Sequence, residues 1–400
     1  MLRTAGLIIV LLALPLAATP PAAPKQVAEA LAVRIYPAAP IYTIDVDASH
    51  DLRSVMLQNL AVLNLGEAPV RLDRLTIEIR SGAQVRQTLQ FDGTNLDAAA
   101  AHMAKLRDVG ALALYDFAFQ TSRYLPAGTA LAGSRLLPAR SALTLNGIPL
   151  VIRGAADRIR ILAEGERTGG ARVQQVLDVP LHPYAQKNDY RFPLNGVWFV
   201  VVGPGFSEPH RWLQNEEFAL DIVRTGATGT THSGSGTHLP DYYGYGQEVV
   251  AVADGEVVTA EAGQMEGEDR FRRSGESAEA FLDRTVAEQE ALLHGGAIRV
   301  MGNYVIVRHS GGEYSHYAHL AASSVQVKAG DKVSGGQILG KLGSTGNSTE
   351  PHLHFTVANG PDPLYARSLP VRYLGLTTAG DGPLGPSYPQ SGWIIDTAGK

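Results

Sequence analysis

The sequence predicts an all-β protein of two domains, and three features carry that prediction. Between about residues 33 and 181, short stretches alternate apolar and polar side chains, as Leu75, Ile77 and Ile79 do against Arg74, Thr76, Glu78 and Arg80. Beyond Tyr190, apolar runs at residues 197–202, 248–253, 304–307 and 338–339 are separated by glycine-rich turns. A helical pattern surfaces in only two places, at residues 96–109 and after Ser277.

Composition narrows the function classes. A chain of 400 residues with a 45% hydrophobic share can build two or three cored domains. Its 34 basic and 39 acidic residues are spread without long runs of one sign, which gives no electrostatic footprint for nucleic acid. Cysteine is absent. The fold therefore has no disulfides and no lipoprotein acylation site, and any zinc would be held by His, Asp or Glu.

Residues 1–23 read as a signal peptide: Arg3, an apolar run over 5–18, then small residues and prolines. The run is short for a bilayer span, so an uncleaved anchor is the lesser reading, and a periplasmic or secreted location is expected. Residues 24–185 form the expected first domain, a β-sandwich of immunoglobulin-like type with one helical insertion begun near Asn95. Its histidines, His50, His102 and His182, are isolated, and no catalytic constellation stands out. The alternation stops near residues 182–189, which places the linker there.

The second domain is expected over residues 190–372, with a Gly- and Pro-rich tail at 373–400 in which Trp393, Ile394 and Ile395 are suited to dock on the body. A charged stretch at about 262–297 interrupts it. There Ser277 can cap a helix bearing Phe281, Leu282, Val286 and Leu293, stopped by Gly295 and Gly296, and the stretch reads as an insertion covering or flanking a groove.

The most informative stretch is Pro351-His352-Leu353-His354-Phe355. On a strand, residues two apart share a face, so both imidazoles look into one space while Leu353 and Phe355 face a core. Upstream lie Tyr317-Ala318-His319-Leu320, the run Gly330-Asp331-Lys332-Val333-Ser334-Gly335-Gly336-Gln337-Ile338-Leu339-Gly340, and Gly343-Ser344-Thr345-Gly346-Asn347. In this order the segments resemble the catalytic core of the lysostaphin/LytM-type zinc metallopeptidases, the M23 family, over about residues 210–358.

The resemblance implies a compact antiparallel β metallopeptidase domain acting on peptide bonds of bacterial peptidoglycan. It implies that His354 ligates zinc, and that His352 and His319 act on the attacking water or the tetrahedral intermediate. The family's remaining ligands are a His and an Asp in a His-x-Gly-x-Asp type motif, and this sequence departs from that spacing. Two pairs can replace it, His210 with Asp221 or His238 with Asp241. Alternation sets Asp221 within an apolar run, where a carboxylate is costly unless a cation or donor satisfies it. His238 and Asp241 lie among Gly, Ser, Thr, Pro and Tyr, at home in solvent. The expected set is therefore His210, Asp221 and His354, with His238 and Asp241 as the alternative. His309 and His316 are expected to support the site or lie at the surface, and His232 and His294 to face solvent.

Two other classes fit parts of the pattern. Paired hairpins around residues 253–258 and 328–333 resemble biotinyl or lipoyl carriers, but the modifiable lysine between methionines is missing. A catalytically inactive relative that binds peptidoglycan or activates an amidase is the stronger alternative, although such members typically lose ligands that are present here. The first domain is expected to serve placement, autoinhibition or a protein partner.

Overall fold

Ten strands of the first domain join in one continuous sheet, and ten of the second in another. The structure, a computed structural model, describes residues 31–397 except 39, 207, 269–270, 274, 379–381, 384 and 386. The expected signal segment, residues 1–23, lies outside the described residues. No described helix is long and apolar enough to cross a membrane.

In the first domain Leu52–Asn64 pairs along its whole length with Ser141–Arg153, while Val70–Ser81 pairs with Arg158–Arg167 and Gln84–Phe91. A three-residue parallel pairing of Leu181, His182 and Pro183 with Ile41, Tyr42 and Thr43 links these two halves. Alternate residues from both halves, among them Val55, Leu57, Ile77, Ile79, Ile159 and Ile161, form one core. Each such side chain stabilises by about 1.5–3 kcal/mol on burial. The helix Gly93–Asp108 buries Leu96, Ala100 and Met103, spaced for a single face. Three short helical turns follow, Ala111–Leu114, Asp116–Phe119 and Thr121–Tyr124, where the sequence pattern shows neither strand nor helix period. His50, His102 and His182 are exposed.

The linker is pinned by one carboxylate. Buried Glu313 accepts hydrogen bonds from Tyr184 Oη (2.5 Å), the Lys187 amide (2.9 Å), Asn188 Nδ2 (2.7 Å) and Tyr190 Oη (2.6 Å). Elsewhere on the interface Arg372 reaches Asp45 at 2.7 Å.

In the second domain the central strands run in the order Asn303–Arg308, Tyr314–Leu320, Leu353–Ala358, Leu220–Val223, Val197–Val202. Leu353, Phe355, Leu220, Ile222 and Tyr317 pack into its core from one face. The opposite face of the three middle strands is left for the site. From the expected tail, Ile394–Asp396 adds to this sheet beside Val197–Val202, with Ile395 buried.

The interrupting segment is more than a cover. Its helix, Ala278–His294, starts where Ser277 Oγ accepts from the Ala280 amide at 3.1 Å, with Glu279 and His294 complementing the helix dipole. The part before the helix is woven into the body. Glu266 accepts from the amides of Ser344 (2.7 Å) and Ala322 (3.1 Å) and from Tyr245 Oη (2.9 Å), and Phe271 is buried against Tyr242.

Candidate metal centre

Sheet register builds one side of the site. Asp221 lies directly opposite His354 on the neighbouring strand, and His354 lies opposite Ala318 on the next. Because side chains alternate, Leu220 and Ile222 turn to the core and Asp221 emerges on the same face as His354. Asp221 Oδ1 is 2.9 Å from His354 Nδ1 and 3.7 Å from His352 Nε2, while its Oδ2 is 3.3 Å from His210 Nε2.

His210 comes from outside the sheet, on the 3-10 turn Pro209–Trp212, and its ring meets that of His354 edge-on at 5.0 Å. One ligand atom from each of His210, Asp221 and His354 falls within a 4.8 Å cluster. Two imidazole nitrogens and a carboxylate oxygen, converging without cysteine, fit a three-ligand zinc centre. His238 and Asp241 do not reach it. His238 is exposed and Asp241 half-buried; the Asp241 carboxylate accepts from the His238 amide at 3.3 Å, while the His238 ring turns to Glu268 at 3.0 Å.

His352 and His319 lie beside this cluster with ring centroids 4.6 Å apart. Each ring has its Nδ1 against a backbone carbonyl, Glu350 for His352 and Thr345 for His319, both at 2.8 Å. That arrangement makes Nδ1 the donor and leaves Nε2 as the acceptor. Strict alternation along Tyr314–Leu320 would turn residue 319 into the core. A left-handed backbone at His319, φ 61°, breaks the alternation and brings its ring to the site. The Thr345 carbonyl is held in place by close backbone packing. A Cβ at Gly343 would sit 2.3 Å from the Ala321 backbone, and one at Gly346, φ +74°, would sit 2.2 Å from the Gly302 amide nitrogen.

The charges organise around Asp221. Burial pushes its carboxyl up, but the imidazoles of His210, His352 and His354 outweigh that and hold it far below the usual carboxylate range. Burial lowers His354, and the Asp221 hydrogen bond together with the charges of Asp221 and Glu216 more than reverses this, leaving it raised. His319 is held well below its ordinary value by burial and by the rings of His352 and His354, so it is neutral at pH 7.

These residues line a cavity of about 250 Å³ that also takes in Glu216, Val300, Met301, Asn347 and Thr349. Glu216 was not singled out by any sequence pattern, yet its Oε2 stands 3.9 Å from His210 Nε2. Val300 also packs in a cluster where three segments meet: Phe117 and Tyr115 from the first domain, Leu293 from the inserted helix, and Leu364 and Tyr365. His316 and His309 are buried and structural, His316 Nε2 meeting the Gly360 carbonyl at 2.9 Å and His309 Nδ1 the Asp254 carbonyl at 2.8 Å. His294 is exposed, whereas His232 is half-buried against Tyr242.

Residues 230–365 match the sequence profile of Peptidase family M23, a span that includes His319, His352 and His354 and leaves out His210 and Asp221. The chain is 35% identical to lysostaphin of Staphylococcus simulans over 136 residues, which is 33% of this chain and 24% of that protein. It is 48% identical to the peptidoglycan DD-endopeptidase ShyA of Vibrio cholerae over 54 residues, 14% of this chain and 12% of that one. The catalytic domain of Staphylococcus simulans lysostaphin aligns in three dimensions with 21% identity and a TM-score of 0.23, covering 46% of this chain and 88% of that domain. The chain thus spans about a quarter or less of the curated relatives it matches.

Proposed function

The chain carries a domain of peptidase family M23, and on that premise we propose that it is a zinc-dependent endopeptidase hydrolysing peptide bonds in bacterial peptidoglycan. The observation that carries this reading is a His-Asp-His cluster flanked by two further imidazoles, each tied through Nδ1 to a backbone carbonyl.

In this reading His210, Asp221 and His354 hold the ion. Bound there, zinc supplies Lewis-acid polarisation of a carbonyl and a water of lowered pKa. His319, neutral and with Nε2 unprotonated, is suited to accept a proton, and His352 presents the same nitrogen from the neighbouring strand end. Val300 and Met301 give the cavity an apolar wall that limits water, while Asn347 and Thr349 offer polar groups to a peptide backbone. Residues 1–23 would export the chain to the compartment that holds this substrate.

The test pairs metal analysis with digestion of isolated cell-wall sacculi. The purified chain should carry about one zinc per molecule, release new amino termini from sacculi, lose that activity to a chelator and regain it with zinc. A zinc-loaded chain that leaves sacculi intact but binds them would overturn the enzyme reading in favour of a peptidoglycan-binding or amidase-activating protein.

A further inference from the structure

His210 differs from the other two proposed ligands in how it is held. Asp221 and His354 are set by strand register, but His210 sits on a turn with ten residues, 211 to 220, between it and Asp221. A metal-binding histidine ordinarily donates its second ring N–H to a partner that orients it. Among the described residues the buried Nδ1 of His210 has no hydrogen-bond partner. On its Nδ1 side the orientation of this ring therefore comes from where its backbone is fixed.

The backbone is fixed by the first domain. Arg211, next in sequence, is wholly buried and pairs with buried Glu217 at 3.3 Å. Its Nη1 donates to Ser54 Oγ at 3.2 Å and to the Gly205 carbonyl at 2.7 Å. From the same first-domain strand, Gln58 Nε2 donates both to the Arg211 carbonyl at 3.3 Å and to Glu217 Oε2 at 3.1 Å. Gln58 thus ties the two ends of the turn together. Trp212 lies against the first-domain strand at Gly147, and Gln214 donates to Gln120 Oε1 at 3.0 Å. At the far end, Phe218 packs with Ile44.

We propose that Ser54 and Gln58 of the first domain are positioning residues for the metal centre, holding the 209–217 turn so that His210 faces Asp221 and His354. The first domain is then part of the site's construction, not only an appendage for targeting. This rests on the proposed role of His210 as a ligand. The arrangement also accounts for the missing short motif: the ligand loop is long because it is moored to a second domain.

The experiment uses the full chain and reads zinc affinity by competition with a chromophoric chelator, alongside thermal melting. Gln58→Ala and Ser54→Ala should each weaken zinc binding about 10-fold or more, the scale of losing an outer partner of a metal ligand. Ser54→Thr, which keeps the hydroxyl, should bind as the parent does. Arg372→Ala removes the interface contact with Asp45 instead, and should lower melting without changing zinc affinity. Should Gln58→Ala fail to fold, the smaller Ser54→Ala change decides the matter. If both variants melt earlier but bind zinc as the parent does, the contacts are merely structural and the proposal is overturned. His210→Ala in the same assay separates the two levels: unchanged affinity there sinks the ligand reading itself, whereas a loss there with none in the Ser54 and Gln58 variants sinks only the positioning role.

Discussion

Nδ1 of His319 lies 2.8 Å from the carbonyl of Thr345, and His319 makes this contact from a left-handed backbone with φ 61°. The hydrogen bond selects the tautomer, and the unusual backbone aims the ring. A residue with a Cβ pays about 1–2 kcal/mol for that conformation, whereas glycine adopts it freely.

Replacing His319 should therefore separate stability from chemistry. Both His319→Gly and His319→Ala are expected to be inactive on sacculi. The glycine variant should be more stable than the alanine variant by about 1 kcal/mol, read by denaturant unfolding. A more stable alanine variant would show that the backbone there is not strained.

The histidines should divide by metal content. His354→Ala is expected to lose most bound zinc together with activity, since it removes one of three proposed ligands. His352→Ala and His319→Ala should keep most of their zinc while activity falls by about 10²–10⁴, the scale of a lost acid–base group. Equal zinc loss in all three variants would overturn this division.

Asp221→Asn preserves shape and removes a charged donor. Its zinc affinity should fall by more than the ~10–100-fold that follows loss of an outer partner. Asp241→Asn, in a half-buried turn outside the cluster, should bind zinc as the parent does. Zinc retained by Asp221→Asn and lost by Asp241→Asn would move the first ligand pair to His238 and Asp241.

Glu266 should matter for stability more than its place in a charged insertion suggests. Glu266→Gln weakens two amide-to-carboxylate bonds that anchor the insertion beside Ser344 and Ala322. A loss of about 1–3 kcal/mol is expected from denaturant unfolding. No measurable change would return the whole segment to the status of a removable cover.

Acid should destabilise the fold in part through His316. Burial lowers its pKa from 6.5 to about 4, so between those values the unfolded chain binds the proton and the folded one does not. Its contribution is intact above about pH 6.5, is lost as pH falls, and is gone below about pH 4. The total is about 3 kcal/mol, at 1.36 kcal/mol per pKa unit. Urea unfolding across this range should give a shallower slope for His316→Gln than for the parent; equal slopes would remove His316 from the account.

The strand alternation, the His-x-His pair and the Ser277 cap were legible because each rests on local geometry. Asp221 was legible as well, since a lone carboxylate among Phe218, Leu220 and Ile222 asks for a partner. Nothing in the order of Pro209–Trp212 and the residues that follow signals that Arg211 and Glu217 become buried. Their burial depends on a strand more than 100 residues earlier in the sequence. The turns at 111–124 escaped for the same reason, because Phe117 is covered in part by Leu293 and Leu364, far along the chain. Glu266 sits in a charged run in which Glu268, Arg272 and Arg273 are exposed.

Asp221 and His354 are 133 residues apart in the chain and adjacent across one rung of the sheet. A chain that is only partly zipped has two isolated donors instead of a chelate. Tight capture of an ion at this place would then report a finished sheet, and a chain still threading through a narrow passage would have nothing with which to hold one. On the proposed ligand set, metal capture would follow the pairing of these strands instead of guiding it.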